Sequence, residues 1–136
     1  ACCVLFDLER GQILHANAGH PLPMVIEPDG TVRTARVGAE ALGPALGLFG
    51  DAQYGQIEAA LMPGKRVVFY TDGLTEARNR NQDEFEETGL KQALTAHVAE
   101  PLPALLDSLV RDVVEFTGTP VFEDDVCLLG VGYAGN

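Results

Sequence analysis

The stretch that most constrains the fold is RVVFYTDGLTE, residues 66–76. A turn signal, Pro63-Gly64, precedes it, and Val67, Val68, Phe69 and Tyr70 make a run of β-branched and aromatic residues suited to a buried strand. The run ends at Asp72, which Gly73 follows. Glycine lets the chain turn there and lets other backbone approach whatever the carboxylate holds. A strand end is a rigid mount for a ligand. Asp-Gly is also an ordinary turn, so this stretch by itself leaves both readings open.

The 136 residues suit one domain with a single core. A net charge of −11, with lysines and arginines scattered, leaves no basic stripe for a phosphate backbone, so nucleic acid is excluded as a partner and metal cations are favoured. No apolar run reaches bilayer-spanning length and no charged-then-apolar leader is present, which predicts a cytoplasmic segment without membrane contact. Cys2, Cys3 and Cys127 are odd in number, lack metal-ligand spacing and sit among apolar residues. They are expected to act as small core residues, not as a nucleophile paired with His20 or His97. The sequence opens without methionine inside an apolar run, CCVLF, which predicts a piece of something longer.

Along the chain, 2–8 and 12–18 read as a β-hairpin, followed by strands at 24–27 and 31–37, four strands in a meander. Residues 38–51 (GAEALGPALGLFGD) are too rich in glycine for a helix and too apolar for a solvated linker, so a loop packed over the core is expected. Strands follow at 56–61 and 66–72. The polar segment 78–87, whose large apolar residue is Phe85, predicts a mobile loop over the site. Thr88 is placed to cap a helix to about residue 98, and a second helix from Pro101 to Gly118 carries Leu102, Leu105, Leu106, Leu109, Val110, Val113 and Val114 at helical spacing. A continuous apolar strand at 126–131 follows the acidic run Glu123-Asp124-Asp125. Strands, then two helices, then a strand predict an α+β layered sandwich of mostly antiparallel sheet.

Asp72 and Asp124-Asp125 each abut a buried strand. If those strands pair antiparallel, the carboxylates meet at one end of the sheet. Oxygen-only donors suit hard ions such as Mg²⁺ or Mn²⁺ that act on phosphates; the alternative is that Asp124-Asp125 merely caps a loop.

Four segments carry a resemblance: NAGHPLP (17–23), GPALGL (43–48), LMPGKRVVFYTDGLTEARN (61–79) and EDDVCLLGV (123–131). In order and approximate spacing they resemble the metal-dependent protein phosphatase family, more closely its bacterial stage II sporulation E branch of sigma-factor regulators. The resemblance implies an α-β-β-α sandwich, incomplete here at its N-terminus, and a serine/threonine phosphoprotein phosphatase with two Mn²⁺ or Mg²⁺ ions. A metal-activated water would attack the phosphoserine of a regulatory protein such as an anti-sigma-factor antagonist, with no protein nucleophile. By the same resemblance Asp72 and Asp124 fall on metal-binding aspartates, with Gly73, Asp125, His20 and Glu76 as supporting positions. His20 is expected to be a loop histidine bonded to backbone beside Pro21, and Glu76 a loop-ordering residue. Phe85-Glu86 departs from a common Phe-Gly of the branch.

The family's upstream Gly-Asp-Val-x-Gly-His-Gly motif, whose aspartate bridges both metals, is absent. Residues 1–136 are therefore expected to be the C-terminal portion of a single phosphatase domain, holding one weak metal site or none and little activity alone. Exposed sheet edges predict a homodimer. The competing expectation is a catalytically inactive phosphatase-like module that binds a regulatory phosphoprotein.

Overall fold

A computed structural model gives the fold for residues 1–38 and 41–135. The first hairpin pairs β1 (Cys2–Asp7) with β2 (Gln12–Ala18), Cys2 opposite Asn17 and Asp7 opposite Gln12. Asp7 fixes its turn, accepting from the Arg10 amide at 2.9 Å and from Arg10 Nη1 at 3.0 Å. The other edge of β2 is shared between β5 (Leu42–Gly43), parallel, and β6 (Ile57–Ala60), antiparallel. The second sheet is antiparallel throughout, with β3 (Met24–Ile26) between β4 (Val32–Thr34) and β7 (Arg66–Tyr70), and β8 (Leu128–Gly132) outside β7.

The expected four-strand meander is therefore split between two sheets. Asn17 causes the break, because its side chain donates to His20 O at 2.8 Å and accepts from His20 N at 3.0 Å, folding the chain back at the end of β2. Pro21 and Pro23 follow, and without amide hydrogens they cannot extend the ladder. β3 starts afresh in the other sheet.

β7 is buried on both faces, which is why its sequence shows no polar alternation. Val68 and Tyr70 face a core built with Leu74, with Leu90, Ala93 and Leu94 of α2 (Glu86–Ala96), and with Leu105, Leu109 and Val113 of α3 (Leu102–Thr117). Val67 and Phe69 instead line a cavity of about 100 Å³ between the sheets, with Val4, Ile13 and His15 across it. Each fully buried leucine of α3 contributes roughly 1.5–3 kcal/mol. That helix ends where Gly118, at φ 73°, takes the left-handed conformation and donates its amide to Val114 O. Among the described residues the helical layer covers only one sheet, and none of the helices is long and apolar enough to cross a membrane.

Several expectations are corrected. None of the three cysteines is buried: Cys3 and Cys127 are exposed and Cys2 is half-buried. Among the described residues no helix covers the outer face of the β1–β2 sheet, so alternate side chains of β1 face out, and Cys127 precedes β8. Within the 38–51 loop, Ala39 and Glu40 lie outside the described residues, while Leu46, Leu48 and Phe49 are exposed instead of packed over the core. Residues 78–85 form a hydrogen-bonded turn, and 86–87 already belong to α2: Asn79 Oδ1 accepts from the amides of Asn81 and Asp83, Arg78 pairs with Glu84, and Phe85 is buried against Phe116. Thr88 does not cap α2, which starts earlier, after Phe85.

His97 joins the two long helices. Its Nδ1 lies 2.8 Å from Glu100 Oε1 and its Nε2 3.1 Å from Asp112 Oδ2, while Ser108 Oγ donates to Glu100 Oε2 and Arg111 donates to Ser108 Oγ. The Glu100 bond raises the His97 pKa most, burial opposes it, and Asp112 adds a weaker upward pull. A raised histidine pKa contributes stability that is complete below the ordinary value and lost as pH rises through the folded-state value. The melting temperature of the wild type should therefore exceed that of His97→Gln at about pH 6, with the gap closing by about pH 9. A gap that widens with pH would show that the histidine is not held in its charged form.

Candidate functional site

β7 stops at Tyr70, and Thr71, extended at φ −87° and ψ 158°, becomes the N-cap of a one-turn helix, α1 (Asp72–Thr75). Asp72 is thus the first residue of a helical turn, not the last of a strand. Its carbonyl accepts from the Glu76 amide at 2.9 Å and from Thr75 Oγ1 at 3.1 Å, and fully buried Leu74 ties the turn to the core. The Asp72 side chain is left exposed on an anchored backbone.

The antiparallel register sets Tyr70 opposite Leu128, so the residues just before β8 run alongside those just after β7. Thr71 N donates to Cys127 O at 3.2 Å. Gly73 then comes so close to this segment that a Cβ there would lie 2.8 Å from Asp125 O and 3.2 Å from the Asp124 carbonyl carbon. Glycine is required by that approach, as its place after Asp72 suggested. Both Asp124 and Asp125 are exposed, and Asp124 Oδ1 accepts from the Asp125 amide at 2.7 Å.

Asp124 lines a polar cavity of about 240 Å³ with Gly73, Glu76, Arg78 and Glu123. Glu76, expected as a supporting and turn-ordering position, orders its turn through its amide and also lines this cavity. Glu123 and Arg78 line it too, although neither was expected as a site residue from the sequence. The acidic run 123–125 signalled the first; for Arg78 no local signal exists. Its hydrogen bond to Glu84 holds Arg78 more firmly charged than an ordinary arginine, with weaker help from Glu123 and Glu76.

His20 lies elsewhere, in a groove of about 290 Å³ with Cys2, Phe6, Tyr70, Thr71 and Cys127. Its Nδ1 is 2.9 Å from Pro21 O, the backbone-bonded loop histidine that the sequence predicted. Among the described residues no three His, Cys, Asp or Glu side chains converge on a common point as a metal cage. The donor chemistry of Asp72, Asp124 and Asp125 nevertheless fits a hard divalent cation, which keeps several waters and needs only one or two carboxylates from protein.

Residues 1–133 match the family model described as Stage II sporulation protein E (SpoIIE). The chain is 29% identical over 111 residues to the phosphoserine phosphatase RsbU of Bacillus subtilis, covering 78% of this chain and 32% of that protein. It is 24% identical over 127 residues to protein IcfG of Synechocystis, covering 93% of this chain and 19% of the relative. It therefore spans a third or less of these curated relatives. Among solved structures, the RsbU and RsbW domains of a Mycobacterium tuberculosis protein superpose with a TM-score of 0.75 at 26% identity, covering 99% of this chain and 36% of that one. The phosphatase domain of SpoIIE from Bacillus subtilis, at 16% identity, shows the same fold with a TM-score of 0.75, over 100% of this chain and 57% of that one. Two mainly antiparallel sheets with helices on one face are the part of the PP2C phosphatase fold that this chain supplies, and the chain belongs to the SpoIIE family of phosphatase domains.

Proposed function

We propose that the protein carrying this chain is a Mn²⁺- or Mg²⁺-dependent phosphatase that removes phosphate from the phosphoserine of a cytoplasmic regulatory protein. The observation that supports this most is the convergence of two acidic turns at one end of the β7–β8 pair, where Gly73 admits the 124–125 backbone. Asp72 and Asp124 would hold the metal, and further ligands would come from water and from chain outside these residues. A divalent ion there would supply an activated water and neutralise charge on the phosphoryl oxygens. The chain's own residues do the positioning: Leu74 anchors the Asp72 turn, Glu76 and Glu123 add negative potential that attracts a cation, and Arg78 sets a positive group on the cavity wall.

The relative named a phosphoserine phosphatase and the structure that joins RsbU with RsbW domains support a phosphoserine-bearing regulatory partner. The test is phosphate release from a phosphoserine protein by the complete protein. Release that stops in chelator and returns with Mn²⁺ supports the reading; release indifferent to chelator defeats it. A second reading, a non-catalytic module that binds the phosphoprotein, is favoured by the donor set, which is short of a cage among the described residues. Binding without release would establish it.

We also propose that this chain pairs with a second copy through its outer strands. Leu5 on β1 and Leu129 on β8 are each more than half exposed, beside strand edges that have no partner among the described residues. Light scattering of the chain should give the mass of a dimer, and a monodisperse monomer would rule the pairing out.

A further inference from the structure

Nothing in the sequence singles out Thr71, and the candidate metal centre turns on it. Its main-chain carbonyl accepts from the Leu74 amide at 3.1 Å, starting the turn that carries Asp72. In a continuing antiparallel ladder that carbonyl would receive the Cys127 amide. Here the side chain takes over: Thr71 Oγ1 accepts from Cys127 N at 2.9 Å and donates to Asp125 O at 2.8 Å. One hydroxyl therefore lets the two strands diverge without leaving the Cys127 amide or the Asp125 carbonyl unbonded. The divergence lays residues 124–125 over Gly73 and opens the space in which Asp124 faces Glu76 and Arg78.

We infer that Thr71 is the positioning residue of the metal centre, a clamp that sets the Asp124 turn against the Asp72 turn by using carbonyl and hydroxyl for one acidic turn each. This rests on the metal-dependent reading above. A hydroxyl is required and a methyl is not, so Thr71→Ser should preserve the clamp and Thr71→Val, nearly isosteric, should remove it. Outer-shell partners of this kind change metal affinity about 10–100-fold.

The experiment is Mn²⁺ binding to the complete protein, followed by the electron paramagnetic resonance of free Mn²⁺, together with amide exchange at residues 125–127. Thr71→Val is expected to weaken Mn²⁺ binding by about 10–100-fold and to speed exchange of the Cys127 amide, with Thr71→Ser restoring both. A purely structural threonine would lower the melting temperature without this selective loss and without rescue by serine. Wild-type affinity in Thr71→Val overturns the inference. If the wild type binds no Mn²⁺, the phosphatase reading fails, and the exchange data still decide the clamp. In the wild type itself, a Cys127 amide that exchanges at the rate of an unbonded one overturns it whether or not any variant folds.

Discussion

Asp72→Asn in the complete protein is expected to lower Mn²⁺-dependent phosphate release by about 10²–10³-fold, since a metal's stabilisation of transition-state charge is worth several kcal/mol and each 1.36 kcal/mol is tenfold in rate. Asparagine keeps the shape and removes the charge. The carboxylate is exposed and its backbone is held by the Glu76 amide, the Thr75 hydroxyl and buried Leu74, none of which involves the side chain. The melting temperature should therefore stay near that of the wild type, which separates loss of metal from loss of fold. Asp124→Asn should behave alike, and because both residues would act on one centre the double variant should be little worse than either single one. Full activity in Asp72→Asn would remove this residue from the metal set.

Gly73→Ala is expected to damage both stability and metal binding. The added methyl meets main-chain atoms, Asp125 O at 2.8 Å and the carbonyl carbons of Asp124 and Asp125 at 3.2 Å, and backbone tied to Thr71 cannot retreat as a flexible side chain would. Overpacking of this kind costs about 1–3 kcal/mol, a sizeable share of a total stability of about 5–15 kcal/mol. Urea unfolding should show a lower midpoint at an unchanged slope. Gly50→Ala is the control: a methyl group there would meet nothing within 4 Å, so a change within about 0.5 kcal/mol is expected. Equal midpoints for Gly73→Ala and wild type would show that the 124–125 segment is free to move away.

The two substitutions probe different links of one chain of causes. Asp72→Asn removes a proposed metal-binding carboxylate from an intact scaffold, while Gly73→Ala keeps every carboxylate and shifts the backbone that carries them.

Much of the fold was legible because it depends on near neighbours. The 2–18 hairpin, the apolar run of β7 and the leucine spacing of α3 follow from turn residues and from periods of two and 3.6, which need no knowledge of distant chain. The acidic ends of β7 and of the 123–125 run were legible for the same reason, each a carboxylate abutting an apolar strand. What sequence alone left undecided depends on contacts beyond that local pattern. His97 bridges to Asp112 on the next helix, and Glu76 shares a cavity with Glu123 and Asp124. Thr71 bonds Asp125 and Cys127 across more than fifty residues. A hydroxyl in the sequence carries no mark of which amide it will receive; that is set by the register of β7 on β8. The sequence by itself determined most of the strands, the two long helices and which carboxylates abut an apolar run. Only the tertiary structure decided which carboxylates share a cavity and which side chain holds their turns together, because those contacts come from packing and pairing between distant segments and not from local preference.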